Sequence, residues 1–88
     1  MAMPDSNSTI DAVVYPNPVD NFVTVVLGSL VETNIVSTLY DIQGRVITTN
    51  IIPPTRSFQV DMSQLASGTY ILKIIIASED FSTRLIKN

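Results

Sequence analysis

Residues 65 to 77 read Leu65-Ala-Ser-Gly-Thr-Tyr-Ile-Leu-Lys-Ile-Ile-Ile-Ala77, and this stretch decides the fold. From Thr69 onward, side chains alternate between two faces of an extended strand. Tyr70, Leu72, Ile74 and Ile76 fall on one face, and Ile71, Lys73 and Ile75 on the other. β-Branched and aromatic residues fit a pleated surface better than a helix. The flanks agree, because Gly68 resets the chain before the run and Glu79-Asp80 is expected to provide the turn after it.

Outward from this strand, short β-prone runs alternate with turn residues about every ten residues, the spacing of sandwiches and barrels. Seven strands are expected. They are 12–15, halted by Pro16-Asn17-Pro18; 21–27, ended by Gly28; 33–41, leading into a turn at Gln43-Gly44; 45–51, stopped by Pro53-Pro54; 56–61; 69–77; and 81–87. A single helical turn is expected at 62–65. Phe58 and Val60 share one face of the fifth strand.

Each sheet has an apolar face to cover, so seven antiparallel strands in about 80 residues close best as two packed sheets. A Tyr entering a late strand just after a corner resembles the tyrosine corner of immunoglobulin-like sandwiches, where the hydroxyl bonds back to the connecting backbone. The expected fold class is all-β, a seven-stranded antiparallel immunoglobulin-like β-sandwich. Tyr70 as a plain core aromatic is compatible with the same fold.

The chain has 88 residues, 45% hydrophobic and 15% charged, which suits one self-folding domain and no more. Residues 12–88 form that domain. Residues 1–11 read as a linker with an added start at Met1-Ala2. Met1-Ala-Met-Pro4 has neither the basic region nor the apolar core of a signal peptide, and Lys73 and Ser78 bound the longest apolar run, Ile74 to Ala77, far below a membrane span. The net charge of −3 divides unevenly: residues 1–44 hold five acids and no base, residues 45–88 five bases and three acids. Five scattered cations give no nucleic-acid footprint.

There is no His and no Cys, which removes Ser-His and Cys-His catalysis and every imidazole or thiolate metal site. Carboxylate pairs could still do acid–base work, but the acids sit mostly at strand ends and turns, and a domain this small leaves little room for a cleft. Gly28, Gly44 and Gly68 are isolated, so no phosphate-cradling loop exists. Asp20, Asp41, Asp61 and Asp80 could offer oxygen ligands to calcium, yet no spaced Asp-x-Asp cluster occurs, and capping their own turns is the plainer reading. The reading is of a non-enzyme with no catalytic, cofactor or metal residues.

Four pieces are more specific together than singly. They are Tyr15-Pro-Asn-Pro-Val-Asp-Asn-Phe-Val-Thr-Val25, Leu39-Tyr-Asp-Ile-Gln-Gly-Arg-Val-Ile47, Val60-Asp-Met-Ser-Gln-Leu-Ala-Ser-Gly-Thr-Tyr-Ile-Leu-Lys-Ile74 and Thr83-Arg-Leu-Ile-Lys87. In this order, over residues 12–88, the chain resembles the type A C-terminal sorting domain of the type IX (Por) secretion system of Bacteroidetes. The resemblance implies a secretion signal on an upstream cargo, read by type IX translocon, shuttle and sortase proteins. The cargo would cross the periplasm in transit and end at the outer-membrane surface or outside the cell. A sortase would then remove the domain, before Ala12, and join the cargo to an anionic lipopolysaccharide.

By the same resemblance, Gly68, Tyr70, Lys73, Arg84, Leu85, Ile86 and Lys87 lie in the segment needed for export and recognised by these partners. Pro16, Asn17, Pro18, Asp41, Gly44, Arg45 and Leu65 are fold determinants. Strands six and seven are expected to present Ile71, Ile75 and Ile86 outward beside Lys73, Arg84 and Lys87, a strip suited to a protein partner. Ile71 and Ile75 packed under a neighbour is the competing reading. A homodimer through an exposed edge strand is also open. From another functional class comes a carbohydrate-binding or adhesive fibronectin-like module. It would need an aromatic platform, and Tyr15, Tyr40 and Tyr70 can each be explained as core.

Overall fold

A computed structural model describes residues 10–88; of the expected linker, residues 1–9 lie outside the described residues. Seven strands occur in the expected order: β1 (Ala12–Tyr15), β2 (Phe22–Leu27), β3 (Ile35–Asp41), β4 (Val46–Ile52), β5 (Ser57–Asp61), β6 (Gly68–Ile76) and β7 (Glu79–Lys87). All pairings between them are antiparallel. They form a three-stranded sheet, β1-β2-β5, and a four-stranded sheet, β4-β3-β6-β7. The fourth strand therefore sits beside the third and not with β5. The short loop 42–45 enforces this, since a four-residue connection can only fold β4 back onto β3.

Alternation fixes which residues make the core. From β2 come Val23, Val25 and Leu27, from β3 Ile35 and Leu39, from β6 Tyr70, Leu72 and Ile74, and from β7 Phe81 and Leu85; Val60, Met62 and Val19 complete the cluster. These side chains interlock between the two inner faces, as in aligned sandwiches. Truncating one such fully buried residue, Leu72 for example, costs about 2–5 kcal/mol in domains of this kind. The Tyr70 hydroxyl donates to the Ala66 carbonyl at 2.6 Å, closing the corner foreseen in the sequence. Leu65 packs half-buried against the core from the same corner.

Two turns differ from expectation. Residues 62–65 hold no helical turn: Asp61 Oδ1 accepts the Ser63 amide at 2.8 Å, and the Leu65 amide reaches only the Met62 carbonyl at 3.1 Å. A carboxylate that captures the amide two residues on makes a local turn and competes with helix. The turn expected at Glu79-Asp80 lies at Ala77-Ser78, because Ile76 pairs with Glu79 and β7 starts two residues early. Ala77 takes the positive φ of 54° that the reversal demands, a position where Gly is the default.

At the β3–β4 hairpin the Gly44 amide donates to the Asp41 carbonyl at 3.0 Å and the Asp41 amide to the Arg45 carbonyl at 2.9 Å, with Gly44 at φ 86°. The Asp41 carboxylate accepts from the Gln43 and Arg45 amides at 2.9 and 3.0 Å and pairs with Arg45 Nε at 2.8 Å. Donation from Arg45, chiefly its backbone amide, holds the Asp41 carboxyl below the ordinary value of 3.8.

Three outcomes follow. Thr83 is 4% exposed and its Oγ1 has no hydrogen-bond partner among the described residues, so Thr83→Val should raise stability by about 1 kcal/mol in urea unfolding. Ala77→Gly should stabilise by roughly 1 kcal/mol through relief of the left-handed backbone, read the same way. Asp41 has a folded pKa below its unfolded one, so its contribution is complete above pH 3.8 and is lost as pH falls through the lower folded value. The stability gap between the native chain and Asp41→Asn should therefore close on acidification below about pH 4.

Candidate functional site

β7 is an edge strand, with β6 on one side and the other side open to pairing. An uncovered edge invites foreign strands. Here the segment after β1 closes part of it. The Asn17 side chain spans two positions of β7: its Nδ2 donates to the Arg84 carbonyl at 3.1 Å and its Oδ1 accepts the Ile86 amide at 3.0 Å. Val19 then pairs with Lys87 in a parallel bridge. The Val19 amide donates to the Ile86 carbonyl at 2.7 Å, and the Asn88 amide to the Val19 carbonyl at 2.9 Å. Asn88 Nδ2 donates to Asp20 Oδ1 at 2.8 Å. The Asn17 amide imitates a strand, with one donor and one acceptor at the spacing a backbone would present.

Pro16 and Pro18 flank Asn17, and both of their peptide bonds are cis. Neither proline has an amide to leave unsatisfied in this loop. The loop sets Val19, fully buried, into the core beneath the clamp. A reading of the segment as a strand stop does not show this grip, and Val19, Asp20 and Asn88 were not among the expected site residues. No local signal could reveal them, since the contacts join positions 67 to 69 apart in sequence.

The expected recognition residues do come together on β6 and β7, where Gly68 faces Lys87, Tyr70 faces Leu85 and Lys73 faces Ser82. They divide between two faces. Tyr70 and Leu85 point into the core, 8% and 1% exposed. Lys87 also lies inward, 9% exposed, with Nζ donating to the Asn88 carbonyl at 3.1 Å, so its expected outward placement is overturned. The cause is the period of two: Arg84 and Ile86 face out, so Leu85 and Lys87 face in. The outer face carries Lys73, Arg84 and Ile86. Ile71 stands between Tyr40 and Arg84 and Ile75 between Val36 and Asp80, both isoleucines half-buried by these neighbours.

The outer face of the four-stranded sheet thus mixes apolar side chains with Thr38, Thr49, Ser82, Asp80 and two cations. Lys73 Nζ approaches Asp80 at 3.6 Å, an exposed pair of small energetic weight. The four aspartates weighed as calcium ligands are engaged by protein groups: Asp41 and Asp61 cap their turns, Asp20 binds Asn88 and Asp80 meets Lys73. On the opposite face of the molecule, Tyr15 and Phe22 are 49% and 48% exposed, so Tyr15 is not a core residue. At the end of the sandwich that holds Ile10, a cleft of about 420 Å³ is lined by Ile10, Asp11, Leu27, Val31, Ile76 and Glu79.

Comparison with known proteins places these features. The fold is similar to that of a DUF3244 family protein from Bacteroides vulgatus with an immunoglobulin-like β-sandwich, at a TM-score of 0.80 and 15% identity, covering 99% of this chain and 96% of that one. No curated protein matches the chain in sequence. The family model described as the secretion system C-terminal sorting domain matches residues 13–88. That span takes in the clamp, the hairpin, the tyrosine corner and the whole of β7, and the chain belongs to this family of type IX secretion sorting domains.

Proposed function

We propose that the domain is a non-catalytic address label, folded around its own terminal strand and read by type IX translocon and shuttle proteins on the outer face of β6 and β7. The observation that carries this reading is the Asn17 clamp. Motif residues from the two ends of the sequence form one contact, and that contact presents Arg84 and Ile86 outward on a fixed strand. Lys73 and Arg84 supply charge and Ile71, Ile75 and Ile86 apolar area, a mixture common at protein interfaces. Tyr70, Leu85 and Lys87 contribute from beneath by holding the strand in place.

In this role the label travels with an upstream cargo through the periplasm, and a sortase cuts in the segment before Ala12. Ile10 and Asp11, its described residues, lie at the end of the sandwich opposite the clamp, because β7 runs from Glu79, beside the same cleft, to Lys87, beside Val19. Cleavage there would leave the recognition strand undisturbed. A second reading, a carbohydrate-binding or adhesive module, is favoured by one observation, the exposed Tyr15 and Phe22 on the three-stranded sheet.

A fluorescent reporter with an N-terminal export signal, fused to residues 1–88, distinguishes the two readings in a Bacteroidetes host with and without its type IX translocon. Surface or medium fluorescence should require the translocon, and both deletion of 84–88 and the fold-preserving Arg84→Glu should lower the exported fraction about tenfold or more. Export of the truncated fusion at normal yield would sink the sorting role. Periplasmic retention of a folded fusion in both strains would favour the binding module.

A further inference from the structure

The sandwich has four sheet edges, and three are blunted. β1 is four residues long and stops before Pro16. β5 follows Pro53-Pro54, with Arg56 before it and Asp61 at its end. β7 carries Glu79, Asp80, Arg84 and Lys87, and its last third lies under Asn17 and Val19. Short length, proline, charge and a covering loop are the devices by which proteins keep edges from pairing.

β4 has no such device in its interior. It reads Val46-Ile-Thr-Thr-Asn-Ile-Ile52, seven residues without charge, proline or glycine, and Val46, Ile47 and Ile51 are 59%, 37% and 69% exposed. Its hydrogen-bond phase can be traced across the sheet. Ile86 turns its amide and carbonyl away from β6 toward Asn17 and Val19. Bonding alternates along antiparallel strands. Carried through the register, Ser37 and Leu39 bond β4 at Asn50 and Thr48. Thr49 and Ile51 therefore turn amides and carbonyls to the open edge, and the regular edge ends at the bulge around Ile47.

We propose that β4 is a self-pairing edge, joining two copies of this chain antiparallel about a two-fold axis at Thr49. The sequence is symmetric in character about that residue. Thr49 meets Thr49 of the second copy, Thr48 meets Asn50 and, at the bulge, Ile47 lies beside Ile51, each polar to polar or apolar to apolar. No like charges oppose one another, and the pairing covers Ile51, the most exposed large apolar side chain among the described residues. An extended strand from a different protein would not need this inverted symmetry. The two four-stranded sheets merge into one of eight strands, and the clamped β7 edges stay outermost. One pairing of so short a stretch, 47–51, is a small interface, so the dimer is weak and reversible.

Sedimentation of the purified 88-residue chain tests this. The weight-average mass should rise from monomer toward dimer as concentration approaches about 1 mM. Thr49→Lys sets two ammonium groups together at the axis and should raise the dissociation constant roughly tenfold or more, while Ser82→Lys on the β7 edge leaves it unchanged. Amide exchange on the unmodified chain avoids any folding defect of the variants: Thr49 and Ile51 should gain protection with concentration and Ser82 should not. A monomer at every concentration, a dimer unaffected by Thr49→Lys, or protection gained at Ser82 in place of Thr49 would each overturn the proposal.

Discussion

One side-chain amide joins the two ends of this fold. Asn17 takes an amide hydrogen from Ile86 and gives one to the carbonyl of Arg84, and Val19 continues the contact into the core. Without that grip β7 would hold only to β6, and the three- and four-stranded sheets would meet only through side-chain packing. With it, the chain between β1 and β2 laces the sheets together along one side. A hydrogen bond of this kind adds about 1 kcal/mol net, so the clamp acts less through its strength than by selecting one position for β7.

Much of the architecture was legible because alternation is a local signal. Tyr70, Leu72 and Ile74 declared the inner face of β6, and Val23, Val25 and Leu27 that of β2, and burial follows both patterns. The corner at Ala66 and the hairpin at Gly44 were readable from residue types whose backbone demands are narrow. The misplaced turn has an equally local origin: Glu79 and Asp80 look like turn residues, but Ala77 accepts an unfavourable φ so that Phe81 can reach the core. Here long-range packing prevailed over local preference.

The candidate site was less readable than the fold. A strip on β6 and β7 could be named, but its division into faces depended on the phase of β7, and Lys87 fell on the inner side because Leu85 must be buried. Likewise Tyr15 belongs by type to the core and by position to the surface. The partners of Asn17 lie nearly the whole chain away, and no periodicity encodes them. The sheet order beyond the hairpin had the same limitation, since the short loop after Asp41 ties β4 to β3 but nothing local places β6 on the other side of β3.

The parallel run of the Val19 segment beside Lys87 has a mechanical consequence. The chain enters at Ile10, at one end of a body about 33 Å long, and leaves at Asn88, at the other. A pull on the entering chain against a hold on the last strand would draw Val19 and β7 in opposite directions along the strand axis. The bonds from Asn17, Val19 and Asn88 lie across that axis, so the load reaches them together as shear and does not peel them one at a time. Tugged from its attached neighbour, this domain would resist as a unit, whereas force applied sideways to β7 alone would open it bond by bond.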